Sequence, residues 1–125
     1  MATSVYLASA EGLSGKSAVA LGLLDQLLRR VGRVGIFRPI VRTDDPGADY
    51  VLDLLLSRLG NGLTARRASG VGYEAVHADP EAAMSTIVDR FHAVAQDHEA
   101  MLASNGNDLK QQRIGVKRAS GVVGV

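Results

Sequence analysis

The sequence predicts an α/β fold: a partial, incomplete parallel sheet with flanking helices. Three observations carry the prediction. A short apolar run is followed by a glycine loop and an amphipathic helix, "SVYLASAEGLSGKSAVALGLL" (residues 4–24). A second run, "RVGIFRPIV" (residues 33–41), shows little polar alternation, which suits a parallel strand covered on both faces. Two Asp-Pro pairs, Asp45-Pro46 and Asp79-Pro80, each precede apolar residues at helical spacing.

In chain order, residues 5–9 read as the first strand. Val19, Ala20, Leu23, Leu24, Leu27 and Val31 then recur at helical spacing, with Asp25, Gln26, Arg29 and Arg30 turned outward. Gly32 ends that helix, as a residue that tolerates positive φ does. The second strand is expected to end near Arg38, because Pro39 has no N–H to give to a ladder. Asp45-Pro46 starts a helix whose buried stripe is Val51, Leu52, Leu55, Leu56 and Leu59, and Gly60 stops it. Residues 61–78 are glycine-rich and read as loop. Asp79-Pro80 starts a third helix, carried by Met84, Ile87, Val88, Phe91, Val94 and Ala95. "AMLAS" (residues 100–104) reads as a third strand. The division is therefore 1–104, one incomplete domain, and 105–125, a poorly specified basic tail.

Bulk composition narrows the classes of function. A chain of 125 residues with 46% hydrophobic content fits a single globular domain. A net charge of +1 gives no reason to expect nucleic acid or an anionic membrane as partner. The absence of cysteine excludes disulfides, thiolate catalysis and cysteine-ligated metal, and fits a reducing compartment. Neither a secretory signal nor an apolar run of roughly 18 residues is visible, so a cytoplasmic location is expected. With 4% aromatics and no tryptophan, the core is expected to be aliphatic.

The first loop carries the chemistry. Phosphates are held where backbone N–H groups converge at a helix N-terminus, and the helix dipole favours an anion there. Glycines let the backbone approach, a lysine reaches the outer phosphates, and a hydroxyl helps to hold Mg²⁺. Gly12, Leu13, Ser14, Gly15, Lys16 and Ser17 stand in that order between strand and helix, with Ser17 as the Mg²⁺-side hydroxyl. Ala10 occupies the place of the pattern's first glycine. The bland alternative is a glycine-rich turn with an exposed lysine; the flanking strand and amphipathic helix favour the phosphate loop. Arg38, at the end of the second strand, is a candidate to face the same site, since carboxyl ends of parallel strands open toward one ligand crevice.

Other constellations are weaker. An acidic Mg²⁺ ligand would stand at the end of a later apolar strand, but "AMLAS" is followed by Asn105, with Asp108 further on. His77, His92 and His98 are too scattered for a metal site, and His92 and His98 are placed on the solvated face of the third helix. Arg66-Arg67 before Ala68-Ser69 reads as an exposed loop, and Asp44-Asp45 as a capping pair. No residue is read as catalytic.

The stretches at residues 5–42, 49–59 and 70–94, above all "GKS" (Gly15 to Ser17), Gly35 to Ile40, and "HADP" (His77 to Pro80), resemble the start of a long-form bacterial phosphate acetyltransferase. The resemblance covers about residues 4–102. It implies a P-loop NTPase-like domain similar to dethiobiotin synthetase, with ATP or a related nucleotide and Mg²⁺ as ligands and nothing covalently bound. It also implies a role in assembly and in allosteric control, with the remaining domains of the parent enzyme or a homo-oligomer as partners. The catalytic region, which in that family moves acetyl between coenzyme A and phosphate, has no counterpart here, so the chain alone is expected to be inactive. After residue 102 the family pattern stops abruptly, which reads as a truncated or frameshifted chain. Two alternatives stand beside this reading. One is a dethiobiotin synthetase-like ATP-dependent ligase, although that enzyme carries Lys-Pro where this chain has Arg38-Pro39, and the two cations are not interchangeable. The other is a non-functional fragment or interaction module.

Overall fold

The computed structural model describes residues 3–8, 16–41, 50–104 and 122–124. Five strands and four helices follow one another: β1 (Thr3–Ala8), α1 (Lys16–Arg30), β2 (Val34–Val41), α2 (Tyr50–Leu59), β3 (Ser69–Gly72), α3 (Tyr73–Ala78), α4 (Pro80–Ala95), β4 (Ala100–Ser104) and β5 (Val122–Gly124). They form one sheet in the order β3-β2-β4-β1-β5, and every strand pair is parallel. The α/β class read from the sequence is the observed one.

Helix ends follow the local chemistry. Asp79 caps α4, its carboxylate accepting from the Ala82 N–H at 3.2 Å, and Pro80 sits in the first turn where its missing N–H costs nothing. Gly60 closes α2 at φ 61°, a conformation that favours glycine. Asp44, Asp45 and Pro46 lie outside the described residues, and α2 is described from Tyr50.

Four expectations are corrected. First, β2 does not end at Arg38 but runs through Pro39 to Val41. The Arg38 N–H bonds Ala68 O on the β3 side, so by alternation the Pro39 nitrogen points toward β4. The β4 pairing accordingly ends at Phe37 with Ala103, since the proline has no N–H to give on that side, and the strand is carried on to Val41 by its pairing with β3. Second, residues 61–78 are not all loop. They contain β3, with Arg38 paired to Ser69 and Ile40 to Val71, and α3. "SGVG" holds two glycines and one β-branched residue, so its strand character comes from pairing with β2 rather than from propensity. Third, among the described residues the sheet has five strands rather than three. Residues 122–124 pair with β1 from Tyr6 to Ala8, while 105–121 lie outside the described residues. Fourth, His98 is not on the third helix: that helix ends at Ala95, and His98 sits half-buried in the turn before β4.

The helices cover the sheet in two layers. On one side α1 packs against β1, β4 and β2 and also against α2; on the other, α4 packs against β2, β3 and α3. Phe37 of β2 meets Phe91 of α4 edge to face, with ring centroids 5.6 Å apart. Phe37 therefore marks the α4 face, and by alternation Val34, Ile36, Arg38 and Ile40 stand on the α1–α2 face. Between these layers Leu24, Ile36, Phe37, Leu52, Leu55, Ile87, Met101 and Leu102 are fully buried, an almost wholly aliphatic core. The α1–α2 layer is tied at its surface by Arg58, which donates two hydrogen bonds of 2.9 Å to the Asp25 carboxylate.

Candidate functional site

In a parallel sheet all strands end on one edge, and the loops there define the ligand crevice. Here β4 lies between β1 and β2. The chain leaves β1 toward β2, and leaves β4 in the opposite direction, toward β5. Strand order thus reverses between the neighbours β1 and β4, and the reversal is where such sheets bind ligands. β1 ends at Ala8 and α1 begins at Lys16 beside this point.

Lys16 and Ser17 are the first two residues of α1, so their own backbone is helical and the first turn of α1 faces the edge where β1 ends. Gly12, Leu13, Ser14 and Gly15 lie outside the described residues, as does Ala10. The α1 first turn holds no acidic residue, which leaves the positive end of its dipole uncompensated within the helix.

Arg38 is 3% exposed, so it does not face solvent. It stands three residues before the end of β2, on the α1–α2 face, the same face that α1 covers over β1. β1 and β2 are two strand spacings apart, roughly 10 Å. Ser104 closes β4 between them, 4% exposed and in register with Leu7 of β1. Extending the β2–β4 register by one residue puts Ser104 beside Arg38, so a buried hydroxyl and a buried cation share one row at the carboxyl edge. Sequence reading missed Ser104 as a site neighbour, because it looked for a carboxylate at the end of this strand. Asn105 and Asp108 lie outside the described residues. Tyr6, on β1 but on the opposite face, is 5% exposed, and burial raises its hydroxyl above the ordinary value of 10.0.

The weaker constellations stay apart. His77 is exposed on α3 and packs edge-on against Tyr73 at 4.4 Å, while His92 is exposed on α4. No group of three His, Cys, Asp or Glu among the described residues could hold a metal ion. Arg67 is paired with Asp97 at 3.0 Å. No helix among the described residues is long and apolar enough to cross a membrane.

A concave feature lies at the opposite, amino edge of the sheet. The turns entering β2 and β4 and the connection from α2 to β3 enclose a depression of about 120 Å³ lined by Arg33, Asn61, Gly62, Arg67, Asp97 and His98, among others. No sequence spacing pointed to it, since its residues come from three separate loops.

Comparison with known proteins agrees with the resemblance drawn from the motifs. No family model matches the chain. The phosphate acetyltransferase of Synechocystis sp. is 35% identical over 95 residues, which are 74% of this chain and 14% of that protein. That of Nitratidesulfovibrio vulgaris is 39% identical over 61 residues, 48% of this chain and 9% of its own length. Over these stretches the chain is related to phosphate acetyltransferase. It spans only a small part of either relative's length, as a piece of a larger enzyme would.

Proposed function

We propose that this chain is a nucleotide-binding, regulatory module of a phosphate acetyltransferase, the enzyme that converts acetyl-CoA and phosphate to acetyl phosphate and CoA. The observation that carries the reading is that β1 ends where strand order reverses and is followed by an α1 that begins with Lys16-Ser17. In this reading the backbone of Gly12 to Gly15 cradles the phosphates of ATP or a related nucleotide. The Lys16 ammonium neutralises them, Ser17 supplies an oxygen to Mg²⁺, and Arg38 adds a second cation from the α1–α2 face. These residues fit a polyphosphate: a helix start without acidic residues, and a buried arginine on the same face and edge.

The module binds and does not catalyse. Acetyl transfer belongs to the remaining domains of the parent enzyme, and no residue here is assigned a role in it. The partners that follow are those domains, or further copies of the chain in a homo-oligomer, in the cytoplasm. A sheet covered by helices on both faces, with Leu24, Phe37, Leu52, Ile87 and Met101 sealed between them, supports a folded module rather than the alternative of a non-functional fragment or interaction module.

Calorimetric titration with ATP·Mg tests the reading. Saturable heat is expected from the chain and little from Lys16→Ala; equal heats from the two proteins contradict it.

A further inference from the structure

We propose that the depression at the amino edge of the sheet is a second binding site, separate from the nucleotide edge, for a small oxyanion. It does not depend on the phosphate-loop reading, because every residue involved lies at the opposite ends of the strands.

Two arginines, Arg33 and Arg67, line the depression. Arg33 stands exposed in the turn before β2; its backbone oxygen accepts from the Glu99 and Ala100 N–H groups, and among the described residues its side chain makes no hydrogen bond or ion pair. Arg67 is engaged through one nitrogen, Nη2, with Asp97 Oδ2 at 3.0 Å. Both members of that pair are about half exposed, at 49% and 53%. A pair of this kind contributes little to stability and gives way readily to a better-placed anion. Guanidinium forks match carboxylate and phosphate-type oxygens in two-point geometry, which is why arginine recurs in such sites.

The walls are fixed by hydrogen bonds that leave the arginines available. Asn61 donates from Nδ2 to Val34 O at 3.1 Å and accepts from the Leu63 N–H at 3.1 Å. His98 Nδ1 is 2.7 Å from Val94 O; a carbonyl only accepts, so Nδ1 carries the proton. Nε2 is then left toward Asn61 Nδ2, 3.4 Å away. Gly62 holds its turn at φ 81° and brings backbone rather than a side chain to the wall. Two carboxylates oppose the proposal and define its test. Asp97 occupies Arg67, and Glu99 comes close to Gly32, its Oε1 3.5 Å from where a Cβ on that glycine would lie. The volume limits the ligand to an oxyanion of a few heavy atoms, or to the charged end of something larger.

The full chain is titrated with sulfate as a tetrahedral probe and, separately, with malonate as a carboxylate probe, at constant ionic strength. Binding is read from amide and His98 ring chemical shifts, with His77 and His92 as internal controls. Saturable shifts at Arg33, Gly62, Arg67 and His98 are expected for at least one probe, and the probe that binds identifies the class. Arg33→Ala weakens this binding about tenfold, the scale of one charge-assisted contact, Asp97→Asn tightens it, and Lys16→Ala leaves it unchanged. The proposal is overturned if neither probe saturates these signals. It is equally overturned if Arg30→Ala, a control at the end of α1, weakens binding as much as Arg33→Ala. Loss of binding in Lys16→Ala would transfer the anion to the nucleotide edge and also overturn it.

Discussion

Gly70 lies against Pro39 so closely that any Cβ on it would collide with the Pro39 carbonyl oxygen and lie 2.9 Å from its carbonyl carbon. Backbone, not a flexible side chain, is the obstacle. The contact lets the edge strand β3 close onto β2 where the proline stands. Gly70→Ala is expected to lower stability by about 1–3 kcal/mol, the range for forcing a group into filled space. Urea unfolding measures it, and an unchanged midpoint would show that β3 moves aside freely.

Phe37 and Phe91 join the sheet to the α4 layer, with their ring planes at 77°. Phe37→Ala empties a fully buried position and should cost about 3–5 kcal/mol. A double-mutant cycle with Phe37→Leu and Phe91→Leu is expected to return a coupling of about 0.5–1.5 kcal/mol, the value of an edge-to-face pair. Additive losses would mean that the two rings only fill volume.

On the other side of the sheet, Asp25 and Arg58 give a pH signature. The Arg58 hydrogen bonds hold the Asp25 carboxyl below its ordinary value of 3.8, and the same contact holds the guanidinium proton more tightly. A carboxylate lowered by folding adds stability that is complete above the unfolded value and disappears as pH falls through the lower folded value. The loss therefore falls below about pH 4. Asp25→Asn should flatten the part of the acid-unfolding profile that belongs to this pair. Salt should shrink the difference between the two proteins, because both groups are open to solvent. Superimposable acid profiles would remove the pair from the account.

Much of this architecture was legible in the chain itself. The α4 cap was readable because Asp79 and Pro80 act locally, and the core helices because Leu24, Leu52, Leu55 and Ile87 repeat at the period of the element that buries them. β3 was not readable. Ser69, Gly70 and Gly72 have little intrinsic strand preference, and their pairing with Arg38 and Val41 comes from tertiary contact alone. Pro39 misled in the other direction: its missing N–H ends the ladder to β4 at Phe37, but pairing with β3 on the other side carries β2 on to Val41. At the candidate site, Lys16-Ser17 announced themselves through a motif. Ser104 did not, since its place beside Leu7 and Arg38 depends on β4 inserting between two strands that are consecutive in sequence. The amino-edge depression was hidden for the same reason: Arg33, Gly62 and His98 are neighbours only once three loops meet.

The central claim is that the chain binds a nucleotide through the loop at the start of α1. Amide chemical-shift mapping with ATP·Mg on the full chain tests it most directly. The account predicts saturable shifts concentrated at Gly12 to Ser17, extending to Arg38, and abolished in Lys16→Ala. Shifts absent from that segment, or persisting unchanged in Lys16→Ala, would contradict it.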